Sequence, residues 1–162
     1  MNLILLALSN IWSNMKLEKY QLKSESSLTI FEFISEGPKG LIRKRIEFQK
    51  TTDPKLFNLA FGDKNLVTGE IDDQAVSNNG DSEKVLATVV SAVYSFCDYH
   101  PNTFVYAKGS TKARTRLYRM GITKYFDEMK EDFYMYGQIE DDFFPFQIGV
   151  EYDGFLAQRK FE

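Results

Sequence analysis

The stretch "SLTIFEFISEGPKGLIRKRIEFQKT", residues 27–51, decides the fold class. Two runs rich in β-branched and aromatic residues flank Gly37-Pro38-Lys39-Gly40, and glycine with proline between such runs marks a turn. In the second run Ile42, Ile46 and Phe48 share one face while Arg43, Arg45 and Glu47 share the other, because successive side chains of a strand alternate. The pattern is a β-hairpin with one dry face and one wet face. "KLFNLAFGD", residues 55–63, alternates Phe57, Leu59 and Phe61 and supplies a third strand.

Beyond the strands, residues 62–82 carry Gly, Asp and Asn throughout, the composition of a loop. A helix is expected from Asp81 or Ser82, either of which can cap the amides of its first turn. Val85, Val89, Val93 and Phe96 follow at helical spacing as a core-facing stripe, and Pro101 helps to stop the helix. "NTFVYAKG", residues 102–109, reads as a short strand and leads into a second helix expected to end near Gly121. "TKYFDEMKEDF", residues 123–133, adds a further helical turn or two with Thr123 as its cap. "FYMYGQI" and "FPFQIGVEY", residues 133–139 and 144–152, read as closing strands around the acidic turn Glu140-Asp141-Asp142. The expected fold is α+β, an antiparallel or mixed sheet packed by two main helices in the order β-β-β-α-β-α-β-β.

Composition narrows the function classes. The 162 residues include 14 Phe and 9 Tyr, enough ring area for a core and against a disordered chain. The net charge is −3, so generic attraction to polyanions is not expected of the whole surface. With one cysteine, Cys97, and one histidine, His100, an intrachain disulfide framework and an all-Cys zinc site are excluded and a His/Cys metal cluster is hard to build. Cys97 lies in a helical apolar pattern and reads as a buried thiol. His100, just before Pro101, suits a helix C-terminus. The loop acids Glu70, Asp72, Asp73 and Asp81 can offer oxygen ligands to a divalent ion, yet acidic loops are ordinarily solvated. No metal and no cofactor is therefore assigned. The apolar run Leu3–Leu8 is too short to span a bilayer, and Met15 begins an ordinary start. Residues 1–14 are expected to be a start-site extension or loose segment and 15–162 a single domain, in a cytoplasmic protein with no membrane partner.

The acidic chain nonetheless concentrates positive charge in "VYAKGSTKARTRLYRMGI", residues 105–122. Lys108, Lys112, Arg114, Arg116 and Arg119 fall within this segment. On a helical wheel Lys112, Arg116, Arg119 and Thr123 gather on one side, Ala113, Leu117 and Met120 on another, with Arg114 at the apolar edge beside Tyr118. Gly109 and Ser110 sit where strand hands over to helix, and free amides there favour an anion. Arginine adds paired donors that match phosphate or carboxylate. Gly109, Ser110, Lys112, Arg114, Arg116 and Arg119, with Asn79 and Asp81 of a facing turn, are the candidate anion-binding residues. The competing possibility is that these cations are solvated or pair with carboxylates such as Asp72, Asp73 or Asp81.

"NNGDSEKVLATV" and "KGSTKARTRLYRMGI" together resemble an uncharacterised family of small bacterial proteins, a domain of unknown function. In that family a Gly-Ser element after a strand leads into Arg-Thr-Arg-Leu-Tyr. The resemblance runs from about Tyr20 to Tyr136 and marks Asn79, Gly80, Asp81, Gly109, Ser110, Arg114, Thr115, Arg116, Leu117 and Tyr118. The helix is also similar to the later helix of the GNAT N-acetyltransferases, matched by Ala113, Leu117, Tyr118 and Gly121, with Ile122 where that family often has Phe. That resemblance implies a general acid at Tyr118. Their glycine-rich coenzyme A loop is missing, since "VSNNGDSEKV" has one glycine and an acidic Asp81. The leading expectation is a binding module for a phosphorylated ligand, RNA or an acidic protein. The alternatives are an acyl-CoA-dependent N-acetyltransferase-like enzyme, a small nuclease or toxin, or an interaction protein using Phe143, Phe144, Phe146 and Phe155.

Overall fold

Eleven elements follow one another in the computed structural model, which describes residues 18–72 and 77–161. In chain order they are β1 (Lys23–Ser24), β2 (Ile30–Gly37), β3 (Gly40–Lys50), β4 (Leu56–Lys64), β5 (Ile71–Asp72), α1 (Ser82–Tyr99), β6 (Phe104–Ala107), α2 (Lys112–Asp132), β7 (Phe133–Ile139), β8 (Asp142–Pro145) and β9 (Gly154–Arg159). The class is the expected one, a mixed sheet with two helices, and the order holds with three extra strands, β1, β5 and β9. The expectations for residues 1–14 and for Asp73 lie outside the described residues. The chain forms two compact units interleaved in sequence. Of the described residues, 18–46, 61–72 and 77–99 make the first, and 47–60 and 100–161 the second.

In the first unit the hairpin forms as its sequence requires. Gly40 adopts φ +89°, a left-handed conformation that glycine alone takes without strain. β1 pairs with β2 and β5 with the end of β4, both antiparallel. Phe31 and Phe33 on β2 and Ile46 on β3 are buried, and Phe33 stacks between Tyr20 and Phe61. The buried rows also contain two polar residues, Ser35 and Lys44. Each meets a carboxylate: Ser35 Oγ donates to Asp81 Oδ2 at 2.5 Å, and Lys44 Nζ pairs with Asp63 and donates to Ser77 Oγ at 2.5 Å. A buried ammonium is tolerated only when so paired.

α1 buries the expected stripe Val85, Val89, Val93 and Phe96, and also Leu86, Ala87, Val90, Ala92, Tyr94 and Cys97. Nearly every side of the helix is covered, so its stripe is wider than an amphipathic pattern requires. Tyr20 is anchored at three points. Its N–H donates to Thr88 Oγ1, its hydroxyl donates to Asp81 Oδ2 at 2.6 Å, and the hydroxyl accepts from the Glu36 N–H. Burial, and then the hydrogen bond to Asp81, push the Tyr20 hydroxyl pKa up.

In the second unit residues 56–59 of β4 run parallel to β6, and β6 is followed by β9, β7 and β8 through antiparallel pairings. The last strand is therefore inserted between two earlier ones. "FPFQIGVEY" is not one strand: β8 covers 142–145, and residues 146–153 form the return to β9. Phe146 ties that return down, since its ring packs on Phe126, Tyr152 and Phe155 at centroid distances of 5.1, 5.5 and 6.2 Å. Phe143 and Phe144 on β8 stay exposed, so the four phenylalanines divide between core and surface. α2 runs without a break through Gly121 and Thr123, contrary to the expected stop. Its buried face is Tyr118, Gly121, Tyr125 and Met129, and Met120 is exposed. The two rings and Met129 outweigh the roughly 1 kcal/mol that a mid-helix glycine costs.

One carboxylate in the first unit makes acid sensitivity measurable. Glu32 Oε1 on β2 accepts from Lys64 Nζ on β4 at 2.8 Å and from Arg45 Nη1 on β3 at 3.3 Å. The Lys64 hydrogen bond, with the charges of Lys64 and Arg45, holds its pKa below the ordinary carboxylate value. A lowered folded pKa contributes stability above the unfolded value that is lost as pH falls through the folded one. Glu32→Gln should therefore shrink the drop in melting temperature between about pH 6 and about pH 3, measured by circular dichroism.

Candidate functional site

Strand β6 ends at Ala107, and within four residues the chain has turned into α2. Thr111 caps the helix: its backbone is extended at φ −133°, and its hydroxyl accepts from the Arg114 N–H at 3.2 Å. Thr115 holds the approach from inside the helix. Its hydroxyl accepts from the Gly109 N–H at 3.1 Å and donates to the Thr111 carbonyl at 3.2 Å. Gly109 comes so near that a Cβ there would collide with the Thr115 amide and lie 2.6 Å from the Arg114 Cβ. The glycine is a requirement of this close approach. With no acidic residue in the first turn, the outward amides of Lys112 and Ala113 present an uncompensated positive end.

A pocket of about 560 Å³ opens there, within the second unit. One part of its lining is Lys108–Lys112 with Thr115, Arg116 and Arg119, and the other is Glu151–Asp153. The lining holds four cations (Lys108, Lys112, Arg116, Arg119) and two carboxylates (Glu151, Asp153), a net of +2 in a chain of net −3. Arg119 Nη1 lies 3.5 Å from Glu151 Oε1, whose side chain is 90% exposed, so this pair contributes little. Lys108, Lys112 and Arg116 are without an ion-pair partner among the described residues. Asp153 is held in place, its Oδ2 accepting from the Glu140 N–H at 2.8 Å.

The candidates separate clearly. Gly109, Ser110, Lys112, Arg116 and Arg119 come together on the lining, and Arg114 does not. Asn79 and Asp81 belong to the first unit, where both are engaged. Asn79 is buried; its Oδ1 accepts from the Lys39 N–H at 2.7 Å, and its Nδ2 donates to Ser35 Oγ and the Gly40 carbonyl. Asp81 accepts from Tyr20 and Ser35. Tyr118 is buried on α2 and is not on the lining. The His100 ring is tilted on Phe57, and Cys97 is buried in α1. Among the described residues no three His, Cys, Asp or Glu side chains converge as metal ligands, and no helix is long and apolar enough to cross a membrane. Glu151, Tyr152 and Asp153 were missed by the sequence pattern, which reads Glu151 and Tyr152 as the end of a strand.

The chain belongs to a family of unknown function, DUF6934, whose model matches residues 16–160. No curated protein and no solved structure matches it.

Two substitutions test these assignments. Gly109→Ala forces the handover away from the first helical turn and should cost about 1–3 kcal/mol, the usual effect of overpacking, read from the denaturant midpoint. Asn79→Ala empties a buried polar position and breaks its bonds to Ser35 Oγ, the Lys39 N–H and the Gly40 carbonyl, and should cost about 1–3 kcal/mol. If Asn79 supports the hairpin, phosphate affinity of the folded variant stays unchanged in calorimetric titration.

Proposed function

We propose that the protein is a binding module whose pocket at the start of α2 takes a phosphorylated ligand. The observation that carries this reading is the +2 lining around a helix N-terminus in a chain of net charge −3. Outward amides and a helix dipole favour an anion, and Arg116 and Arg119 supply planar paired donors. A volume of about 560 Å³ falls in the range of small-molecule sites. RNA is less well served, because single-stranded bases need exposed rings for stacking and Tyr152, the lining's aromatic, is buried. An acidic protein would engage a projecting surface rather than a recess. The acetyltransferase alternative counts on Tyr118 as its general acid, and Tyr118 is not on the lining.

The test is calorimetric titration with inorganic phosphate, a nucleoside monophosphate, acetyl-CoA and a short RNA. Phosphate and phosphorylated small molecules should bind, more weakly as salt rises. Arg116→Ala should weaken them about ten-fold or more, the worth of a charge-assisted hydrogen bond, with no loss of melting temperature. Binding that ignores both salt and Arg116→Ala contradicts the reading, and heat with acetyl-CoA alone supports the acetyltransferase alternative instead.

A further inference from the structure

The pocket's acidic wall bears on what the phosphate is attached to. A site for a bare anion gains nothing from Glu151 and Asp153, since each carboxylate repels phosphate. Ionised carboxylates only accept hydrogen bonds; Glu151 already lies 3.5 Å from Arg119 Nη1, but it and Asp153 are both exposed and can receive donors from another part of the same ligand. Asp153 is suited to this. One oxygen is fixed by the Glu140 N–H, and the other has no donor among the described residues. Its charge is felt locally: after burial, Asp153 is the second cause that pushes the neighbouring Tyr106 hydroxyl pKa up. Tyr106 itself is engaged with Gln138, and a Cβ on Gly154 would press on both, so the base of the Asp153 segment is closely packed.

Charge balance selects the kind of donor. The lining's net +2 matches a phosphomonoester, which carries about −1.5 to −2 near neutral pH. Neutral hydroxyls leave that match intact, an ammonium would reduce it, and a triphosphate would exceed it. Resting on the phosphate reading above, we infer that the ligand is the phosphomonoester of a sugar or polyol. Its phosphate lies against Lys112, Arg116 and the α2 amides, and its hydroxyls donate to Asp153 and Glu151.

The experiment titrates inorganic phosphate, glucose 6-phosphate and ATP into the full chain and into Asp153→Asn and Glu151→Gln. Glucose 6-phosphate should bind about ten-fold tighter than inorganic phosphate, the gain from one or two hydrogen bonds to a charged acceptor. Asp153→Asn should bring that ratio close to one while leaving phosphate affinity equal or higher, because a repelling charge is gone. If Asp153→Asn fails to fold, Glu151→Gln, at an exposed position, decides by the same ratio. Equal affinities in the unaltered protein, a ratio untouched by the variants, or tighter binding of ATP would overturn the inference and leave the phosphate reading standing. No binding of any of the three would remove both.

Discussion

Where β6 hands over to α2, the backbone of Gly109 lies so close to the first helical turn that no side chain fits between them. The hydrogen bonds of Thr115 and the cap of Thr111 fix this approach. Because the chain turns so tightly, Lys108, Lys112 and Arg116 flank one helix N-terminus instead of spreading along a surface. The pocket's charge is thus a consequence of local backbone geometry. The Phe146, Tyr152 and Phe155 cluster bears on the other wall, because it ties the 146–153 return to the second unit and so places Glu151 and Asp153.

The first unit obeys a different constraint. Its part of the hairpin, the end of β4 and the residues before α1 meet around polar groups that are buried or half-buried yet satisfied. Asn79 ties the turn at Lys39 and Gly40 to Ser35, and Asp81 ties Ser35 to Tyr20. Such a network is costly to leave half-made, which gives Asn79 and Asp81 a place in the packing of this unit.

How much of this was legible in the sequence follows from the kind of signal each part carries. The hairpin at 37–40, β4 and the α1 stripe were legible because alternation, turn residues and helical spacing are local. α2 was read as two pieces because Gly121 is a local stop signal, and only the buried Tyr125 and Met129 beyond it override that. β9 escaped because Gly154–Arg159 shows little alternation, and its strand character comes from β6 and β7 on either side. Lys44 was not singled out in the sequence; it shares the inward face of Ile46 and Phe48, and its partner Asp63 on β4 is set by strand pairing. The cationic half of the pocket was readable in one segment. The acidic half needed the fold to bring residues 151–153 to it.

The anion proposed to bind at the start of α2 would be seen most directly in a phosphate titration followed by ¹H–¹⁵N correlation spectra of the labelled protein. Saturable shifts centred on the amides of Gly109, Ser110, Lys112 and Ala113, fading as salt is added, are the expected result. Spectra that stay unchanged, or shifts that centre on Asn79–Asp81, would contradict it.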